Sequence, residues 1–159
     1  MVTSIDNPFM FGCLALDIAG FKVGEMDIDI MASSPDEGFR LVFDINERLT
    51  LSVGFDKEAG SYSIAGAIPD PAKQPALLEL ALKLNFVLLE QGRSFSIDPG
   101  SEKLVLTQLI DIQRLELEIL AEAIADITQT VLALDGYEFD AKQTTRDTEP
   151  VDWNTVVRG

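Results

Sequence analysis

The sequence predicts an α+β fold in which three helices accompany a twisted antiparallel sheet of about five strands. Two observations predict it. Between residues 39 and 68 apolar residues recur at every second position, which is the period of strands, and after Pro75 they recur every three or four positions, which is the period of helices. The connections in the first region are short, which favours antiparallel neighbours. The expected order is helix, three strands, helix, two strands, helix.

Length and composition indicate a single main domain. The chain has 159 residues, of which 47% are hydrophobic, and this is enough for a core without disulfides. Cys13 is the only cysteine and histidine is absent, which excludes an internal disulfide and a zinc site of the usual Cys/His type. Such a chain suits a reducing compartment, so we expect a cytoplasmic protein.

Neither a signal peptide nor a membrane span is expected. No Lys or Arg precedes the first apolar run, and Asp17 lies within it. Glu79, Lys83 and Asn85 interrupt the richest apolar stretch, which is therefore too short for the roughly 20 apolar residues of a spanning helix. We expect no membrane insertion.

The charge balance is strongly acidic. Twelve basic residues against 27 acidic ones give a formal net charge of -15, which repels phosphate backbones and argues against nucleic acid as a partner. Two interpretations stay open. The charge serves solubility alone, or it keeps in solution a protein that exposes apolar surface.

A first helix is expected over residues 5–21. Asp6 or Asn7 is the N-cap, Pro8 takes the first helical position, and Gly20 lies near the end. A helix that is apolar nearly all round has to be buried on every side, in its own core or by a partner. The apolar residues are Phe9, Met10, Phe11, Cys13, Leu14, Leu16, Ile18 and Phe21.

Strand patterns follow. The stretch "EMDIDIM" alternates apolar residues with Asp27 and Asp29 and is compatible with a strand. "FRLVFDI" (39–45) then begins three strands joined by short turns at "NE" and "DKEAGS", which end at the breaker "PDPAKQP". In each strand one apolar row faces a covering layer and the other row stays half open.

The second helix is expected over residues 76–91, with Gly92 as its stop. Its apolar stripe is wider than one face of a sheet can cover. The stripe consists of Leu77, Leu80, Leu84 and Leu88 with the neighbouring row Leu78, Leu82, Phe86 and Leu89. Two strands follow, around Phe95 and Ile97 and around Leu104 and Leu106, joined by the turn "DPGSE".

A final amphipathic helix is expected from about 114 to 135. Its apolar positions, spaced three and four apart, are Leu117, Leu120, Ile124, Ile127, Val131 and Leu134. We expect it to end at Gly136, so that residues 1–136 form the domain and 137–159 a polar C-terminal tail.

This order resembles the small secretion chaperones of type III secretion systems, the Tir-chaperone-like family that escorts effector proteins. The resemblance rests on "LVFDINERLTLSVGFD", on "YSIAGAIP", on the leucine-rich helix containing Asn85, on "IDPGSEK" and on "LVLTQ", followed by a long acidic helix. It covers residues 39–136. The insert "KVGEMDIDIMASSPDEG" between the first helix and the first meander strand is longer than the family pattern leads us to expect, and the 23-residue tail has no counterpart in that pattern.

The resemblance implies a homodimer without enzymatic activity that binds the extended N-terminal segment of a secreted effector and uses no cofactor. The implied subunit contact is the second helix with the following strand, for which the candidates are Leu78, Leu82, Phe86, Leu89, Phe95 and Ile97. Candidates for effector binding are Phe9, Leu14, Phe43, Leu51 and Val53. The alternative is a regulatory or stress-related protein-binding module with the same fold and no secretion role.

Competing chemistry has weaker support in the sequence. Asp27 and Asp29 have the oxygen ligands that Mg²⁺ or Ca²⁺ prefers, yet such a pair is also what the solvent side of a strand presents. Cys13 has apolar neighbours and no nearby cation, which is typical of a small core residue rather than a nucleophile. No glycine pattern suits a bound phosphate.

Overall fold

In a computed structural model of the chain, the described residues are 6–34, 38–113 and 115–145. Within them the chain forms three α-helices and one six-stranded sheet. The helices are α1 (Pro8–Ile18), α2 (Pro75–Leu88) and α3 (Leu117–Thr145), and the strands are β1 (Asp29–Ser34), β2 (Gly38–Asp44), β3 (Thr50–Asp56), β4 (Ser61–Ile68), β5 (Arg93–Ile97) and β6 (Leu104–Asp111). Short 3-10 segments cover Val23–Glu25, Pro71–Lys73 and Leu89–Gln91.

The sheet has the strand order β1-β2-β3-β4-β6-β5, and every neighbouring pair is antiparallel. This confirms the predicted fold class, with one strand more in the first group. The additional strand is β1, to which the alternation around Asp27 and Asp29 pointed. It pairs with β2 from Asp29 opposite Val42 to Ser34 opposite Gly38. The main-chain hydrogen bonds to β2 hold this segment in the extended conformation of a strand.

The first helix is shorter than expected. Asn7 is its N-cap, since the side-chain Oδ1 of Asn7 accepts a hydrogen bond from the Met10 N–H at 3.1 Å, and Pro8 follows at the first position as predicted. The helix ends at Ile18 rather than residue 21, because Gly20 takes a positive φ of 103° that no helical residue adopts.

One face of the sheet carries the core. The helices α1 and α3 cover this face, and the side chains that alternate toward them on β2, β3, β4 and β6 are buried. The Tyr62 hydroxyl donates to the Pro8 carbonyl oxygen at 2.9 Å and so joins the sheet to α1. At Gly66 the helix comes so near that an added Cβ would lie 2.7 Å from Cγ1 of Val131, and only glycine leaves that room.

The ends of the other two helices differ. Gly92, with a φ of 73°, stops the 3-10 turn after α2, as predicted. The expected end of the final helix at Gly136 is wrong, because the helical backbone continues through this position to Thr145. A glycine costs a helix only about 1 kcal/mol relative to alanine, which a 29-residue helix tolerates. Tail residues 146–159 lie outside the described part of the chain.

Candidate functional site

Groups able to do chemistry are scattered in the described part of the chain. No three His, Cys, Asp or Glu residues among the described ones lie close enough together to hold a metal ion. Asp27 and Asp29 are both exposed, just before and at the start of β1. Burial raises the pKa of the Cys13 thiol, and the Asp17 carboxylate raises it further, so this thiol stays protonated and is a poor nucleophile.

An apolar surface lies on the outer side of α2. Phe86 is 88% exposed and Leu82 is 70% exposed, values that are rare for large apolar side chains in a packed domain. We call Leu82, Phe86, Val87 and Leu89 the α2 face, since all four are exposed. None of the described helices is long and apolar enough to cross a membrane.

The candidates for a subunit contact divide between this surface and the core. Leu82, Phe86 and Leu89 belong to the α2 face, and Ile97 is exposed on β5, the strand that contacts α2. Leu78 is half-buried against the core, and Phe95 is a core side chain with 5% exposure. The first four are accessible to a second subunit.

The candidates for partner binding are less accessible. Phe43, Leu51 and Val53 are buried beneath the helices, and the Phe43 ring lies 5.1 Å from the ring of Phe21. This burial does not support their prediction as contact residues, because the strand row that faces the helices has no free surface. Phe9 packs edge-on against Phe39 and is half-buried, as is Leu14.

A second apolar surface lies at the outer edge of β1, with which none of the described strands pairs. Ile30 and Met31 are 57% and 63% exposed. Their partners in β2 are Leu41, which faces the helices, and Arg40, which faces the other side, so the two apolar side chains point to opposite faces beside one open strand edge. An exposed strand edge with apolar side chains can pair with a strand of another chain. We call this strand edge, with Ile30 and Met31, the β1 edge.

The opposite edge of the sheet is closed locally. The Asn85 side chain on α2 donates to the Phe95 carbonyl oxygen at 3.1 Å and accepts from the Phe95 N–H, so that it takes the place of a neighbouring strand. An added strand cannot pair with β5 at this residue. The two edges of the sheet are therefore not equivalent.

The face of the sheet away from the helices curves into an open trough. Two adjoining cavities of about 460 and 800 Å³ lie along it and share Met31, Arg40, Ser63 and Thr107. Met31 on β1 and Leu109 on β6 line the same cavity although three strands separate them, which requires strong curvature of the sheet.

Sequence reasoning described this row of the sheet only as half open. The signal for a trough was present in the small residues that alternate with the core row, such as Ser52, Gly54, Ser63 and Ala65. Their size leaves space above the sheet. The curvature that turns this space into a trough is a property of the whole twisted sheet, so the sequence of a single strand does not predict it.

Exposed apolar surfaces on a small acidic α+β domain are typical of proteins that bind other proteins. A model of the Tir chaperone protein (CesT) family matches residues 36–134, most of the chain. The chain therefore belongs to this family of type III secretion effector chaperones, which confirms the resemblance drawn from the sequence. Membership of a non-enzymatic family agrees with the expectation that the chain is not an enzyme.

Solved structures share the fold. A chain of the ExsC-ExsE complex superposes with a TM-score of 0.61 and 12% identity, over 79% of this chain and 91% of that one. A chain of the HopA1-SchA chaperone-effector complex gives 0.55 and 17%, over 82% and 98%. An uncharacterized protein from Methanothermobacter thermautotrophicus gives 0.50 and 20%, over 80% and 93%. The curated proteins contain no significant match.

Proposed function

We propose that this chain is a homodimeric cytoplasmic chaperone that binds an extended N-terminal segment of a secreted effector and keeps it soluble and competent for type III secretion. Family membership supports the chaperone role, and the HopA1-SchA structure is a chaperone-effector complex of the same fold. The observation that carries the proposal is the presence of two separate apolar surfaces, the α2 face and the β1 edge, on one chain with a net charge of -15.

The α2 face is the proposed dimer contact. Its exposed side chains lie on α2 and on the 3-10 turn that directly follows it. A twofold axis beside α2 would place the apolar stripe of each copy against that of the other. Burying large apolar side chains contributes about 1.5–3 kcal/mol each relative to full exposure. Ile97 on the adjacent β5 extends the same contact.

The β1 edge is the proposed attachment point for the effector. A strand added beside β1 would satisfy the free main-chain groups of β1 and cover Ile30 on one face and Met31 on the other. Asp27 and Asp29 at the start of β1 favour a strand that carries Lys or Arg. They disfavour a second copy of the same strand at this edge, because it would bring like charges together.

Limited proteolysis of the full chain co-purified with a secreted effector from the same genome tests the proposal. We expect protection of a segment of about 50 residues or more near the effector's N-terminus, because a chain that wraps a surface becomes ordered only on binding. A complex without any protected effector fragment would overturn the proposal. Protection of a partner that is never secreted would favour the regulatory alternative.

A further inference from the structure

The trough contains two cationic side chains that form no ion pair with any residue the structure describes. Arg40 on β2 and Lys103 before β6 both line its smaller cavity. In the described part of the chain, ion pairs within 4.0 Å hold Lys22, Arg48, Lys83 and Arg93. Neither Arg40 nor Lys103 takes part in such a pair, and neither side chain donates a hydrogen bond to a described residue.

The Asp98 carboxylate, which lines this cavity, already has hydrogen-bond partners. The Asp98 carboxylate accepts hydrogen bonds from the Ser101 hydroxyl at 2.6 Å and from the main-chain N–H groups of Ser101 and Gly100 at 3.2 and 3.4 Å. These bonds lower the pKa of Asp98, and the positive charge of Arg40 lowers it slightly more. Asp98 holds its own turn together and forms no ion pair with either cation.

The floor of the trough leaves room for a peptide. A Cβ at position 54 would lie 2.9 Å from the Ser63 hydroxyl, so that glycine keeps the sheet surface low beneath the Arg40 side chain. Gly54 lines the larger cavity, and Ser52 and Thr107 line the adjoining smaller cavity with hydroxyl groups. A volume of about 460 Å³ falls within the range of ordinary ligand pockets, roughly 300–1,000 Å³.

We propose that the trough holds an Asp or Glu side chain of the bound protein segment, its carboxylate paired with Arg40 and Lys103. This rests on the proposed function. It adds a selection rule, because a segment that runs from the β1 edge past Met31 meets acidic groups first and then two cations. The acceptable segment is basic along β1 and carries an acid where it enters the trough.

A matched pair of peptides tests this site directly. The probe is acetyl-Ala-Ala-Glu-Ala-Ala-amide, and its control has Gln in place of Glu. Both are titrated into the full chain while the amide resonances of Ser52, Ser63 and Thr107 are followed by heteronuclear NMR. We expect the Glu peptide to bind about tenfold more tightly, because two ion pairs of modest strength are lost with Gln.

Variants of the chain give the second comparison. Arg40→Gln with Lys103→Gln should remove the preference for the Glu peptide. The control variant, Lys57→Gln with Lys73→Gln, changes the net charge by the same amount at exposed positions outside both cavities. This control should keep the preference for the Glu peptide. The inference would be overturned if both peptides changed the amide chemical shifts equally. It would also be overturned if the Arg40/Lys103 variant still preferred the Glu peptide.

A further measurement separates this inference from the proposed function. If the wild-type chain binds its co-purified effector and the Arg40/Lys103 variant binds it equally well, the inference is wrong and the proposed function stands. If the wild-type chain shows no effector binding while the Glu peptide still binds in the trough, the proposed function is wrong instead.

Discussion

Asn85 holds Phe95 by both main-chain groups of that residue. Its side-chain amide donates to the Phe95 carbonyl oxygen at 3.1 Å and its carbonyl accepts from the Phe95 N–H. Phe95 is at the same time a core side chain with 5% exposure. The contact therefore fixes α2 against β5 in one register.

Replacing Asn85 with Ala should lower the free energy of unfolding by about 1–3 kcal/mol, because two partly buried main-chain groups lose their partner. Urea denaturation at fixed protein concentration measures it. Gln91→Ala, on the exposed turn after α2, is the control and should change little. Equal stability of the Asn85 variant and the wild type would show that water replaces the amide without cost.

The proposed dimer makes the α2 face sensitive to charge. Phe86→Asp should give monomers, because an unpaired charge in a dry contact costs several kcal/mol. Light scattering should report twice the chain mass of 17.4 kDa for the wild type and that mass once for the variant. Ile119→Asp, at an exposed apolar position on α3, should remain dimeric. A wild-type chain that is monomeric at high concentration contradicts the dimer.

Tyr62 should make the chain sensitive to alkaline pH. Burial raises the pKa of this phenol above its ordinary value of 10.0, so the unfolded chain releases the proton first. The stabilising contribution is complete below pH 10 and is lost as the pH rises beyond it. Thermal unfolding of Tyr62→Phe should therefore show a flatter decline above that pH.

At neutral pH the same variant should be less stable by about 1–2 kcal/mol, since the Pro8 carbonyl loses its donor. Equal pH slopes for the two proteins would exclude Tyr62 as the responsible group.

The sequence predicted the architecture well because the periods of its apolar residues are regular. Two features could be recognised only in the folded structure. Phe43, Leu51 and Val53 look like any strand row, and only the packing of α1 and α3 shows that this row is the covered one. The helix through Gly136 was missed because local stop signals compete with the propensity of the whole segment.

Effector binding at the β1 edge should depend on apolar contact. Substituting Ile30 and Met31 together by Ser should weaken binding of the co-purified effector at least tenfold, because both side chains lose the burial that pairing gives them. Isothermal calorimetry measures it. Leu132→Ser on α3 is the control and should bind normally. If the double variant bound the effector with undiminished affinity, the effector would have to attach to a different surface.

The same calorimetry should show a negative heat-capacity change and weak dependence on salt, because burial of apolar surface is the main driving force. Recognition by net charge alone would instead weaken steeply as salt screens it. A steep loss of affinity between low and physiological salt would therefore contradict the apolar mechanism.

Ligand addition should not stabilise the free chain. Calcium, magnesium and ATP should leave the melting temperature unchanged, because a ligand that binds only the folded state at a hundredfold excess over its dissociation constant adds about 2.7 kcal/mol. Differential scanning fluorimetry checks this. A reproducible upward shift with any of them would reopen the metal or enzyme interpretation.

The contact between Gly66 and Val131 links two distant positions of the gene. A Cβ at position 66 would lie 2.7 Å from Cγ1 of Val131, so a mutation of this glycine is tolerated only together with a smaller residue on α3 or a displaced helix. Homologous genes should therefore vary at these two codons in a coordinated way. A substitution at codon 66 is therefore not neutral until codon 131 has changed.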